Sequence, residues 1–117
     1  MTPPIRTGEV DLDPDRAVEL IDAGEVQLVD VREQYEWDAG RLAGARHIAV
    51  QQLPAEAGSL DRERPILFYC RTGSRSSMAA DAFRRAGFDA YNLDGGLVEW
   101  TRRGHLLEPE DGTVAPH

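Results

Sequence analysis

The chain contains no lysine; all 13 of its basic residues are arginine. Chemistry that starts from a lysine Schiff base is therefore excluded. There is one cysteine, so no internal disulfide can form and nothing in the fold demands an oxidising compartment. The three histidines and the cysteine show no zinc-ligand spacing, and neither a metal nor any other cofactor is expected. No apolar run approaches the length of a membrane span. Met1 to Arg6 lacks the apolar stretch of a secretory signal. Positive charge is in deficit, with 21 acidic residues and a net charge of −8, which argues against nucleic acid as a partner. These absences describe a reduced, cytoplasmic protein without membrane or nucleic-acid partners.

What is present is an ordinary globular composition, 41% hydrophobic and 29% charged, in a 117-residue chain long enough for one domain and one core. Short apolar runs alternate with helical patterns. Glu9 to Leu12 reads as a first strand. Asp13 follows as an N-cap with Pro14 at the first helical position, where its missing N–H costs nothing. Leu12 and Ala17 are spaced as a hydrophobic staple, and Gly24 reads as the stop. Val26 to Val31 suits a buried parallel strand. It carries Asp30 and Arg32 to the strand's C-terminal end, the edge at which open α/β sheets hold ligands. The two read as an ordinary ion pair, which could also brace a neighbouring loop. Residues 33–39 read as a short helix, with Glu36 a partner for an arginine elsewhere. Gly40 to Ile48 reads as a turn and a short strand, and His47 as a structural histidine. Gln51 to Leu60 is ambiguous, because Pro54 and Gly58 interrupt any long helix. Met78, Ala79, Ala82, Phe83 and Ala86 follow helical spacing up to a Gly87-Phe88 stop. Ala90 to Leu93 reads as the last strand, and Gly95-Gly96 opens a last helix that packs Leu97 and Trp100 inward. Strands alternating with helices make an α/β fold, a parallel sheet with helices on both faces.

The chemistry concentrates in Ile66-Leu67-Phe68-Tyr69-Cys70-Arg71-Thr72-Gly73-Ser74-Arg75-Ser76. A lone cysteine after an apolar run is most often a buried small hydrophobe. Here, however, no apolar residue follows for seven positions, and two arginines sit in the turn before a helix. Unpaired N–H groups at a helix N-terminus and the helix dipole favour a thiolate. Arg71 and Arg75 push the same way. Gly73 allows the backbone to turn so that several N–H groups converge on one point. The stretch reads as a cradle for a reactive sulfur and the anion it meets.

Cys70-Arg71-Thr72-Gly73-Ser74-Arg75 resembles the active-site loop of the single-domain rhodanese (thiosulfate sulfurtransferase) family. Three further stretches resemble the family in order and spacing: Leu28 to Glu33, Ala39 to Ala45, and Leu93 to Trp100. The resemblance departs from the family's common Gly-His-Ile-Pro-Gly-Ala, since Arg41 stands for the histidine and Ala43 for the proline; no imidazole role is available there. It implies a three-layer rhodanese-like domain over residues 8–104, with 1–7 and 105–117 as flexible tails. It also implies a two-step sulfurtransferase, in which Cys70 takes the outer sulfur of a donor as a persulfide and passes it to cyanide, a small thiol or a protein thiol. Arg71, Thr72, Gly73, Ser74 and Arg75 would bind the small-molecule donor, with Asp30, Arg32 and Glu36 in support. In the family an arginine directly after the cysteine accompanies thiosulfate, and a glycine there mercaptopyruvate. Two other readings stand beside this one. A sulfur-carrying or partner-binding module would form the persulfide but turn over poorly. A phosphatase or arsenate reductase would want Cys-X5-Arg, whereas four residues separate Cys70 from Arg75.

Overall fold

A computed structural model describes Ile5 and residues 8–116. Five parallel strands form one sheet in the order β1-β5-β4-β2-β3: β1 Asp11–Leu12, β2 Gln27–Asp30, β3 Arg46–His47, β4 Ile66–Tyr69 and β5 Ala90–Leu93. The helices are α1 Pro14–Asp22, α2 Gln34–Ala39, α3 Leu53–Glu56, α4 Ser74–Arg85 and α5 Gly96–Arg102. The expected α/β architecture is the one observed.

The central strand shows why its sequence is apolar throughout. All four residues of β4 are buried, and they alternate between two cores. Ile66 and Phe68 point to the side packed by α3 and α4, where Phe68 meets Phe83 edge-on at 4.9 Å. Leu67 and Tyr69 point to the side packed by α1 and α5, with Leu20, Leu97 and Trp100. Cys70 continues the alternation onto the α3/α4 side and is itself fully buried.

The terminal signals operate locally. Asp13 accepts the Asp15 N–H at 2.9 Å as N-cap of α1, with Pro14 next. At the end of α4, Gly87 adopts φ +92°. The Phe88 N–H then returns to the Phe83 carbonyl and the Gly87 N–H to that of Arg84, which is a Schellman stop. The ambiguous stretch 51–60 resolves into α3 between two 3-10 turns, Val50–Gln52 and Ala57–Ser59.

The apolar stripe of α4 is divided: Ala79 and Phe83 are buried, whereas Met78, Ala82 and Ala86 are exposed along an apolar groove shared with Leu53 and Pro54 of α3. One expectation is corrected. Residues 105–116, read as a flexible tail, lie against the domain. Leu107 and Val114 pack on the α1/α5 core, Arg41 and Glu108 exchange backbone hydrogen bonds, and Trp100 Nε1 donates to the Leu106 carbonyl. The acidic composition of Glu108 to Asp111 hid these anchors on either side. Of the other tail, 1–7, only Ile5 is among the described residues, and it packs on the same core.

From β2 the chain passes outward to β3, then returns to place β4 on the other side of β2. The carboxyl ends of β2 and β4 therefore flank the point where the winding reverses, the crevice where open α/β sheets bind ligands. Cys70 follows β4 there, and α2 follows β2.

Candidate active site

The loop after β4 folds back around the cysteine sulfur. Gly73, at φ +101°, takes a backbone conformation that L side chains rarely adopt, and its N–H donates to Cys70 Sγ at 3.1 Å. A Cβ at Gly73 would also sit 3.4 Å from the Gly95 nitrogen. Thr72 and Ser74 are exposed, and Ser74 opens α4. The loop is gripped from behind by α5, since the N–H groups of Leu97 and Val98 donate to the carbonyls of Cys70 and Arg71, each at 3.0 Å. Gly96 makes this possible, because a Cβ there would lie 2.5–2.6 Å from the Arg71 and Cys70 carbonyls.

Burial alone would raise the Cys70 thiol. The Ser76 hydroxyl and the backbone N–H groups of Ser76, Gly73 and Thr72 more than offset it and hold the thiol below its ordinary value. The leading favourable partners of the sulfur are neutral donors, one of them Ser76, whose Oγ lies 3.4 Å from Sγ. Nothing in the sequence distinguished Ser76 from the serines beside it; its place two residues into α4 puts it under the sulfur. Behind Ser76 stands Asn92 of β5, Oδ1 2.5 Å from the Ser76 hydroxyl, and Asn92 Nδ2 in turn donates to Asp11 Oδ1 at 2.9 Å. Asn92 was legible only as a strand residue.

Arg75 commits its fork to Glu36, Nη1 to Oε1 at 2.7 Å and Nη2 to Oε2 at 2.9 Å. The sequence left Glu36 as a partner for an arginine elsewhere, and the structure gives it Arg75. The Arg75 guanidinium is held above its ordinary range, first by the Glu36 hydrogen bonds and, less, by the charge of Cys70. Arg71 makes no ion pair among the described residues, and its Nε is buried without a hydrogen-bond partner. Asp30 and Arg32 form a second bidentate pair, Nη2 to Oδ2 at 2.7 Å and Nε to Oδ1 at 2.9 Å, with no exposure on either side chain. Among the described residues no hydrogen bond joins this pair to the cysteine loop. Arg32 Nη2 also donates to the Gly40 carbonyl at 2.7 Å, and its guanidinium lies 5.7 Å from the ring centre of Tyr69. His47 stacks on Trp37 at 5.1 Å, with Nε2 2.6 Å from the Arg32 carbonyl. Arg41 lies over the other aromatic contact of that helix, 5.0 Å from the Trp37 ring centre.

Among the described residues no group of three or more histidine, cysteine or carboxylate side chains could hold a metal, and no helix is long and apolar enough to cross a membrane.

The chain matches the family described as a rhodanese-like domain over residues 13–103. It is 33% identical over 90 residues to the thiosulfate sulfurtransferase GlpE of Shewanella oneidensis, covering 76% of this chain and 89% of that one. It is 39% identical over 75 residues to the uncharacterized protein YqhL of Bacillus subtilis, covering 63% of this chain and 60% of YqhL. Its matches to an HTH-type regulator and to MoeZ, both of Mycobacterium tuberculosis, span only 42% and 22% of those longer proteins. A rhodanese-related protein from Thermoplasma volcanium superposes with a TM-score of 0.78 at 23% identity over 84% of this chain and 96% of that one, a likeness of fold. The match runs from the N-cap of α1 to the residue after α5 and contains the whole cysteine loop, and the chain belongs to the rhodanese-like family of sulfurtransferases.

Proposed function

We propose that the protein moves a sulfane sulfur from thiosulfate to a thiophilic acceptor through a persulfide on Cys70. The observation that carries this reading is the sulfur held at the entry of α4 by the Gly73 N–H, with Ser76 beneath it. The Cys70 thiolate attacks the outer sulfur of thiosulfate. A Cys–S–S bond forms, the donor's S–S bond breaks, and sulfite leaves with the electron pair. In the second step cyanide, a small thiolate or a protein thiolate attacks the terminal sulfur, the persulfide bond breaks, and the Cys70 thiolate returns. Convergent N–H groups suit the terminal sulfur, which carries the charge between the steps. Arg71, with no carboxylate to satisfy, suits the doubly charged donor and the departing sulfite. Cys70 has no exposed surface, so part of its cover must yield before the donor can touch the sulfur.

Two measurements test this. Mass spectrometry after thiosulfate treatment should show one added sulfur in the wild type and none in Cys70→Ser; thiocyanate release should follow with cyanide. Added sulfur without turnover on any acceptor would identify a carrier instead. Arg71→Ala should lose about 1.5–3 kcal/mol from the thiosulfate step, roughly ten- to a hundredfold in kcat/KM. Its melting temperature should hardly move. An unchanged thiosulfate step in that variant would remove the donor assignment.

A further inference from the structure

The Ser76 hydroxyl has one proton and two acceptors. Its oxygen is 3.4 Å from Cys70 Sγ and 2.5 Å from Asn92 Oδ1. The orientation of the Asn92 carboxamide is set from outside, because Asn92 Nδ2 donates to the Asp11 carboxylate across the β5–β1 pairing. That bond leaves Oδ1, not the amide nitrogen, facing Ser76. While the cysteine is a thiol, the shorter of the two contacts takes the Ser76 proton to Asn92, and donation to Sγ is the arrangement of the thiolate. In the thiol state the lone pairs of Oγ are turned toward the sulfur, where they can accept from a thiol S–H but cannot support a thiolate.

We propose that Asn92 is a positioning residue that sets the direction of the Ser76 hydroxyl, holding it away from the sulfur until the thiolate forms. In the thiol state the chain of donors runs from S–H to Ser76 Oγ, from Ser76 to Asn92 Oδ1, and from Asn92 Nδ2 to Asp11. When the thiol loses its proton the hydroxyl turns to Sγ, and Asn92 Oδ1 gives up its partner. When the persulfide forms, the charge moves out to the terminal sulfur, and the Ser76 proton is released back to Asn92. No atom is exchanged with the substrate; one O–H bond rotates between two acceptors. Asn92 therefore opposes thiolate formation and favours the persulfide over the free thiolate. The charged groups about this site are Arg71 and Arg75 on the cysteine's own loop and helix, Glu36 of α2 behind Arg75, and Asp11 of β1 behind Asn92. Among the described residues none of them makes a hydrogen bond to the Ser76 hydroxyl, for which Asn92 competes with the sulfur.

The inference rests on the reading of Cys70 as the nucleophile. Its test reads the thiol by iodoacetamide alkylation without any sulfur donor, so it can fail or succeed independently of turnover on thiosulfate. Asn92→Leu removes the competing acceptor at similar volume. The rate-versus-pH midpoint should fall by about half a unit to one unit, a three- to tenfold faster reaction at a fixed pH below the midpoint. Ser76→Ala should raise the midpoint, and Asn92→Leu placed on Ser76→Ala should add no shift of its own. A merely structural Asn92 would move both backgrounds alike, and that result, or a raised midpoint in Asn92→Leu, overturns the proposal. Should Asn92→Leu not fold, the exposed Asp11 supplies the same test from the surface. Asp11→Ala frees the carboxamide to turn and should lower the midpoint. Asp11→Asn, which keeps an acceptor without the charge, should stay at the wild-type value. Equal shifts in the two Asp11 variants would assign the effect to charge and reject the relay.

Discussion

Two bidentate arginine–carboxylate pairs, Asp30–Arg32 side-on through Nε and Nη2 and Glu36–Arg75 end-on through Nη1 and Nη2, lie at the carboxyl edge of this sheet, and they do different work. Asp30 and Arg32 are two residues apart and wholly sealed from solvent. Glu36 and Arg75 are 39 residues apart; Glu36 is sealed, but 21% of the Arg75 side chain remains exposed. The first pair closes on a backbone carbonyl, that of Gly40, and so fixes the turn after α2 to the end of β2. The second joins α2 to the first turn of α4 and leaves its cation within the field of Cys70. That both contacts are bidentate says little about role. What separates the two is which elements the pair connects and whether its cation stays close to the reacting atom.

The comparison is broken most severely at Arg32. Arg32→Ala would leave the Asp30 carboxylate buried with the Arg32 backbone N–H, at 2.9 Å, and the Tyr69 hydroxyl, but no cation beside it, and would also unbind the Gly40 carbonyl. Breaking such a pair costs about 3–5 kcal/mol, enough to unfold a domain of ordinary marginal stability at moderate temperature. Denaturant titration should show the loss. Arg32→Lys should recover only part of it, because an ammonium cannot reproduce the fork that serves Asp30 and Gly40 together. A melting temperature within a few degrees of wild type would mean that water replaces the guanidinium, and that the pair is not structural.

At Arg75 the same substitution should cost less in stability and more in chemistry. Partial exposure lets water reach the Glu36 carboxylate once the guanidinium is gone, so the loss should be about 1–3 kcal/mol. The α4 entry, which positions Ser76 and the Gly73 N–H, would loosen at the same time, and sulfur loading of Cys70 should slow at pH 7. Arg75→Lys, keeping the charge but not the fork, separates the two contributions. Full stability with slow loading in Arg75→Lys would assign the effect to geometry. Normal loading in Arg75→Ala would show that the loop is held by the α5 N–H groups alone.

The sequence made the sulfur's address legible and its partners only partly so. Strand, thiol, turn and helix follow one another in the chain, so local rules suffice to place Cys70 at the N-terminus of α4. Glu36 was a reasonable partner because it lies one turn after a strand that ends at the same edge. Ser76 and Asn92 escaped notice for a physical reason. A serine in a serine-rich first turn carries no signal of which one faces inward, and Asn92 meets it only because β5 pairs with β4 opposite Phe68. The N–H groups at the helix entry were legible from the turn-then-helix pattern, whereas the Ser76 hydroxyl among the leading partners of the sulfur was not. The tail was misread because its acidic residues cluster between Glu108 and Asp111, whereas its apolar anchors, Leu107 and Val114, lie on either side of them.

The finest contrast between the pairs is in their response to acid. Burial pushes the Glu36 carboxyl up, but the Arg75 fork, the Glu33 N–H and the charges of Arg75 and Arg32 outweigh it and hold the group below its ordinary value near 4.5. A carboxylate whose folded-state pKa is depressed contributes stability that is complete above its unfolded value. That contribution is lost as pH falls through the folded one. The stability difference between wild type and Glu36→Gln should therefore be constant at neutral pH and begin to contract below about pH 4.5, as the unfolded wild-type chain takes up a proton at Glu36 that the variant cannot bind. Because Arg75 is part-exposed and screened, the contraction should be modest, a melting-temperature difference that narrows by a few degrees between roughly pH 5 and 3. Parallel melting curves for the two proteins across that range would show that Glu36 titrates alike in both states, and that its bond to Arg75 orients the loop without stabilising it.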